Sequence, residues 1–355
     1  MELKRIEIDK AGSATSPLDL PKSVSLINKN GLPMAGDVVA VRALSESVTY
    51  GNLELPTGRL AKINRNDILL GVLGKRSALK GFVGDVPDTV TTGDRLHLLN
   101  MGGVIGVCKG HHSSLSDAIE VEVVGIACDA DRNVLNISDN ALQPSDSLST
   151  SAPIVIIAGT CMNSGKTVAA AEIIRQAANA GLRVAGAKLS GIACLRDTLN
   201  MQDHGAVATA SFLDCGLPST VDHGDLAPVA KGILNHLNTF GPDLIVVELG
   251  DGIVGGYSVD SVLKDREIRS SISSFVFCAS DYVGVIGGIA VLKGLGIEID
   301  VIAGSVTDSQ MGEDFVQDEF MLKAGNARRD GKRLFELVSS KVIQAQPSVA
   351  GISFA

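Results

Sequence analysis

At 355 residues the chain can bury a sizeable core and suits two domains, and 45% hydrophobic against 20% charged residues is the balance of an ordinary globular protein. A net charge of −9 with no basic tract argues against a nucleic-acid surface, and the longest apolar stretch near the C-terminal half, Val283–Leu292, is about half a bilayer span. With no Trp and only 3% aromatic residues, the core must be aliphatic. The first eight residues lack the apolar core of a secretory leader, and six scattered cysteines (Cys108, Cys128, Cys161, Cys194, Cys215, Cys278) form no Cys-x-x-Cys pair. These features predict a cytoplasmic chain with reduced thiols and no membrane partner.

Residues 1–142 read as a β-rich domain. Short β-prone runs at Asp37–Arg42, Asp67–Leu73, Arg95–Leu99, Gly103–Cys108 and Ile119–Ile126 are separated by turn signals such as Pro56-Thr57-Gly58 and Thr92-Gly93-Asp94. No long helical period interrupts them, so a small antiparallel β-barrel or sandwich is expected. His111-His112 beside Cys108 is read as a loop pair, because adjacent strand residues face opposite ways and rarely share one ion. The composition then shifts. The Ser-rich segment from Gln143, bracketed by Pro144 and Pro153, reads as a linker over 143–152.

From 153 to 355 strands alternate with helices. Strands are expected at Ile154–Ala158, Arg183–Lys188, Leu244–Glu248, Phe275–Ala279 and Ile299–Ala303. Helices are expected at Lys166–Ala180, Leu226–Asn238, Val283–Leu295, Phe315–Ala324 and Lys332–Ala345. This predicts a three-layer α/β/α domain on a parallel sheet.

The chemistry concentrates where the first of these strands meets its helix, in Gly159-Thr160-Cys161-Met162-Asn163-Ser164-Gly165-Lys166-Thr167. An apolar strand running into a loop that opens an Ala-rich helix is the context a phosphate-binding P-loop requires. Loop amides and the helix N-terminus face the phosphates, with Gly159, Thr160, Asn163, Ser164 and Gly165 forming the cradle. Lys166 neutralises β/γ charge, and the Thr167 hydroxyl binds Mg²⁺. Cys161 is a small loop filler, although a thiol near a helix N-terminus is sensitised to oxidation.

Five residues separate Gly159 from Gly165, one more than in the usual motif. Gly-Thr-x-x-x-x-Gly-Lys-Thr resembles the loop of dethiobiotin synthetase and its relatives in the SIMIBI class of P-loop proteins, which includes the molybdopterin-guanine dinucleotide protein B family and the cobyrinic acid amidating synthetases. The likeness covers about residues 153–310. It implies that Lys188, in Ala187-Lys188-Leu189-Ser190-Gly191, reaches substrate or γ-phosphate oxygens; the plainer alternative is a solvated strand-end lysine. An acidic residue after the second strand helps hold Mg²⁺ in such proteins, a role open to Asp197 or Asp203, although Asp203 would also cap a helix starting near Gly205. Glu248 ends an apolar strand, which is costly without a partner, and is expected at the metal or the attacking group. Asp251 is secondary, as a turn residue beside glycine. Asp308 falls where related proteins read the base, though Asp308 or Ser309 also suits a helix cap.

These readings predict a Mg²⁺-dependent enzyme using ATP, with GTP as the alternative, on a small-molecule substrate as a kinase or carboxylate-activating ligase. Lys166, Lys188 and Glu248 would carry the catalysis. The competing expectation is a regulatory or chaperone-type NTPase that switches a protein partner. A homodimer is implied by the resemblance alone.

Overall fold

The computed structural model describes residues 4–28 and 32–345, in two compact units. The first comprises Met1–Leu142 with Ile192–Arg196 and Phe212–Val221; the second comprises Gln143–Gly191, Asp197–Ser211 and Asp222–Ala355.

In the first unit five strands close on themselves: Val38–Ala43 (β1), Ile68–Leu73 (β2), Arg95–Leu98 (β3), Val104–His111 (β4) and Glu120–Cys128 (β5). β5 pairs with β1, β1 with β2, β2 with β4, β4 with β3, and β3 returns to β5. The β2–β4 pair is parallel, so the barrel is mixed where an antiparallel one was expected. Alternate residues fill its core, including Val39 and Val41, Leu69, Leu96 and Leu98, Val121 and Val123, as the two-residue strand period requires. Short strands extend the sheet beyond β5 and β4, among them Ser23–Ile27 and Phe82–Asp85. His111 and His112 turn to separate partners, Asp117 at 3.1 Å and Ser114 at 2.8 Å. The later segments belong here through specific bonds: Asn100 donates to the Ala193 carbonyl (2.7 Å), and the Leu195 amide donates to Glu54 (2.7 Å).

The second unit is a seven-stranded, wholly parallel sheet. Its strands are Ile154–Gly159 (β6), Val184–Ser190 (β7), Ala208–Ser211 (β8), Leu244–Leu249 (β9), Ile272–Cys278 (β10), Val301–Ala303 (β11) and Lys323–Ala324 (β12). Their order across the sheet is β8-β7-β9-β6-β10-β11-β12. The helices are Lys166–Asn179 (α1), Arg196–Asp203 (α2), Ala227–Asn238 (α3), Val259–Lys264 (α4), Arg266–Ser271 (α5), Tyr282–Gly294 (α6), Gln310–Phe320 (α7) and Gly331–Ala345 (α8). Every residue of β6 and β9 is buried, which explains their unbroken apolar runs. Both faces of the sheet are covered: Val276 and Cys278 pack with α1 and α8, whereas the intervening Phe277 meets Gly288 of α6.

Two expected elements shift. The helix placed over Phe315–Ala324 begins at Gln310, where Ser309 caps it by accepting from the Gly312 amide, and ends at Phe320 because Met321 adopts φ 53°. Lys323–Ala324 is the edge strand β12 instead. No helix starts at Gly205; with φ 103° it terminates α2, and the chain enters β8. Among the described residues, no helix is long and apolar enough to cross a membrane.

Candidate nucleotide-binding site

The central strand β6 delivers the loop, and its glycines are sterically required. A Cβ on Gly159 would lie 2.6 Å from Ser164 Oγ and 2.7 Å from the Cys278 carbonyl oxygen. Gly165 has φ 105°, and a Cβ there would stand 2.8 Å from Gly304 Cα. The loop is pinned from three directions: the Thr160 amide donates to Cys278 O (3.0 Å), the Ile253 amide to Gly159 O (2.9 Å) and the Ser305 amide to Ser164 O (3.2 Å).

α1 then opens at Gly165 with no side chain capping it, so its first-turn amides are left for another acceptor. Ser164 Oγ is buried at this point with no hydrogen-bond partner. Lys166 is 6% exposed and donates to the Cys161 carbonyl at 2.7 Å. Burial lowers its pKa, with Glu248, Cys278 and Asp251 pulling the other way. Asn163 takes a left-handed conformation (φ 61°) and is exposed at the loop's outer edge. Cys161 directs its thiol to the Met162 carbonyl (3.3 Å) and lies 3.7 Å from Ser280 Oγ. Burial pushes the neighbouring Cys278 thiol up to about 12.

Beside the loop stand the charged groups of two neighbouring strands. Parallel register sets Lys188 of β7 opposite Glu248 of β9, and Glu248 opposite Ile157 of β6. Thr167 Oγ1 donates to Glu248 Oε1 at 2.9 Å. Lys188 Nζ bonds to Asp197 Oδ2 and lies 3.4 Å from Glu248 Oε1. Burial acts to lower the Lys188 pKa, but Asp197 and Glu248 outweigh it, so the ammonium is raised and held charged. Burial pushes the Glu248 carboxyl up, while Lys188 and Lys166 oppose it. Lys188 is only 9% exposed and ion-paired, which removes the reading of a solvated strand-end lysine.

Of the two candidate aspartates, the structure brings in Asp197 and not Asp203. Asp197 lies in the first turn of α2; Asp203 is its last residue, exposed, roughly 9 Å farther along the axis. Asp251 follows β9 in the loop whose Ile253 binds Gly159. Asp308 is exposed, and its carboxylate accepts from Asn326 Nδ2 at 2.8 Å. Asn326 is buried and also donates to Thr307 Oγ1 (3.1 Å), clamping the segment after β11. Its distance along the sequence hid this role, and no local pattern marks it: Asn326 follows Gly325 and the two-residue edge strand Lys323–Ala324.

The donor set fits a divalent ion. Glu248 Oε2 is buried without a partner, and a carboxylate pair beside a Thr hydroxyl is hard-oxygen chemistry. Among the described residues no three His, Cys, Asp or Glu side chains group together, so the remaining ligands would be phosphate oxygens and water.

No family model matches the chain, and no curated protein matches it. Among solved structures it is similar to the signal recognition particle receptor FtsY from Elizabethkingia anophelis (11% identity, TM-score 0.37, covering 54% of this chain and 66% of that one). It is also similar to the signal recognition particle 54 kDa protein from Aeropyrum pernix, solved with GDP (16%, 0.36, 60% and 53%). A third is a DUF1611 family protein from Anabaena variabilis (12%, 0.38, 57% and 63%). The chain spans less than two thirds of each of these structures. Likeness at this level carries no argument about activity, and the resemblance to dethiobiotin synthetase remains one of sequence motif.

Proposed function

We propose that the chain binds a nucleoside triphosphate with Mg²⁺ and transfers its terminal phosphoryl group, or activates a carboxylate with it, on a small-molecule substrate. One observation carries this reading: an uncapped helix N-terminus, Lys166, Thr167, Glu248, Asp197 and Lys188 converge at the carboxyl ends of three adjacent strands, β6, β9 and β7. Crevices at such strand ends are where open parallel sheets bind ligands.

The loop amides and α1 would hold the phosphates, and Lys166, freed from the Cys161 carbonyl, would neutralise the β/γ oxygens. Thr167, Glu248 and Asp197 would hold Mg²⁺, which supplies charge neutralisation at the transferring group. Lys188, on β7 and separated from the loop strand by β9, would be a second cation for the phosphoryl oxygens. Catalysis by such a set is positioning and charge stabilisation, with little covalent chemistry for the protein to perform. ATP is the proposed nucleotide on the strength of the motif resemblance, with GTP as the competitor.

The test is a metabolite-pool incubation with ATP or GTP, read by mass spectrometry for new phosphorylated or condensed species. Product from the wild type that disappears in Lys166→Ala supports the proposal. Equal triphosphate affinity and turnover in both proteins would put the chemistry elsewhere.

A further inference from the structure

This inference rests on the nucleotide reading and concerns regulation of the same site. A positive charge already stands between the two metal-side carboxylates. Lys188 Nζ bonds to Asp197 Oδ2 and lies 3.4 Å from Glu248 Oε1, with side chains 11%, 20% and 2% exposed respectively. Two carboxylates so close and so poorly hydrated repel one another unless a cation intervenes. Lys166, the other nearby cation, is committed to the Cys161 carbonyl. The backbone makes room for the lysine stem: a Cβ at Gly250 would stand 3.3 Å from Lys188 Cε and 2.9 Å from the Ser190 carbonyl oxygen.

We propose that Lys188 is the resident cation of the Asp197–Glu248 pair, and that its ammonium and a divalent ion exclude one another there. Withdrawing the ammonium into an apolar surrounding with no anion is prohibitive, so Lys188 leaves only when a new anion receives it. The phosphates of a nucleotide are that anion. Lys188 therefore makes divalent-ion binding conditional on nucleotide, and the site does not take up the free metal. Glu248 Oε2, already without a partner, is the oxygen ready to accept the ion once Lys188 has moved.

The experiment titrates Mn²⁺ alone, without nucleotide, into the wild type and Lys188→Met, following free Mn²⁺ by electron paramagnetic resonance and folding by thermal melting. The variant is expected to bind Mn²⁺ at least roughly tenfold more tightly than the wild type. Mn²⁺ should raise the melting temperature of the variant but not of the wild type, and adding Glu248→Gln should remove the gain. Equal Mn²⁺ affinity in wild type and Lys188→Met overturns the proposal. Should Lys188→Met fail to fold, ¹⁵N-lysine spectra of the wild type decide the matter. The Lys188 ammonium signal should persist with Mg²⁺ alone and change when a non-hydrolysable triphosphate is added with it. A signal unmoved under both conditions, with nucleotide bound, overturns the proposal. Nucleotide binding measured separately in EDTA by a fluorescent ATP analogue tests the wider reading on its own, since the Mn²⁺ titration needs no nucleotide.

Discussion

A carboxylate at the end of a strand buried on both faces destabilises the fold unless charge or hydrogen bonds compensate it. Glu248 has Thr167 and Lys188 on one oxygen and nothing on the other, an arrangement that serves a ligand better than it serves stability. Glu248→Gln should cut Mg²⁺-dependent turnover by about a hundredfold or more, while triphosphate binding in EDTA changes little. Asp203→Asn, on the exposed end of α2, should leave both unchanged; parallel turnover and fluorescence titrations of the two variants separate the roles. The phosphate loop was legible because its chemistry lies in consecutive residues, and Glu248 because a charge ending an apolar run stands out. The choice between Asp197 and Asp203 was not legible. It depends on where α2 begins, and an eight-residue helix with a largely polar sequence has too little periodicity to show that. The clamp of Asn326 on Asp308 was equally hidden, being eighteen residues removed in sequence.

Packing between elements supplies sharper tests than composition does. α6 holds adjacent glycines with opposite surroundings: a Cβ on Gly288 would lie 2.1 Å from the Phe277 ring, whereas Gly287 has nothing within 4 Å. Gly288→Ala should therefore destabilise the protein by roughly 1–3 kcal/mol through overpacking. Gly287→Ala should stabilise it by up to about 1 kcal/mol through helix propensity. Urea unfolding of both variants measures the contrast. Lys231 of α3 offers a pH test, since it lies 2.9 Å from Asp265, the cap of α5, and 2.7 Å from Glu267. Burial works to raise the Asp265 pKa, but the Ile268 amide and Lys231 hold it below 3.8. The Lys231 hydrogen bond holds Glu267 below 4.5. Both contributions are thus complete above those ordinary values and are lost as pH falls through the depressed ones. Glu267 and Asp265 raise Lys231 above 10.5, so its share is complete below that value and is lost as pH rises past the raised one. The stability gap between wild type and Lys231→Met, followed by melting temperature, should be widest near neutrality. It should narrow as pH falls below about 4.5, and again as pH rises above about 10.5. The long strands and helices of the α/β unit were readable from apolar runs and period, but β8 and β12, four and two residues long at the sheet edges, carry too short a pattern to register.

On the scale of the whole molecule, the compositional break at Gln143 suggests two pieces that a cut would separate, yet the first unit also owns Ile192–Arg196 and Phe212–Val221. Nothing in those segments departs from the surrounding α/β pattern, so their allegiance appears only in three dimensions. Ala193 is fully buried, with its carbonyl held by Asn100, and the Leu142 amide donates to Asp214 O at 2.7 Å. A Cβ on Gly216 would come within 2.5 Å of Ser138 Cα, so this segment lies directly on the first unit's own backbone. A chain starting at Gln143 would keep the phosphate loop but leave these two segments without the surfaces that cover them. Phe212 and Leu213, 2% and 1% exposed in the full chain, belong to that unit. Losing the cover of either side chain would cost about 1.5–3 kcal/mol, a large share of the stability of an ordinary domain. The fragment should therefore melt well below the full chain and bind an apolar dye, as scanning calorimetry and dye fluorescence would record. A fragment that melts with the full chain's transition and binds no dye would mean that Ile192–Arg196 and Phe212–Val221 are ordered by the α/β unit itself.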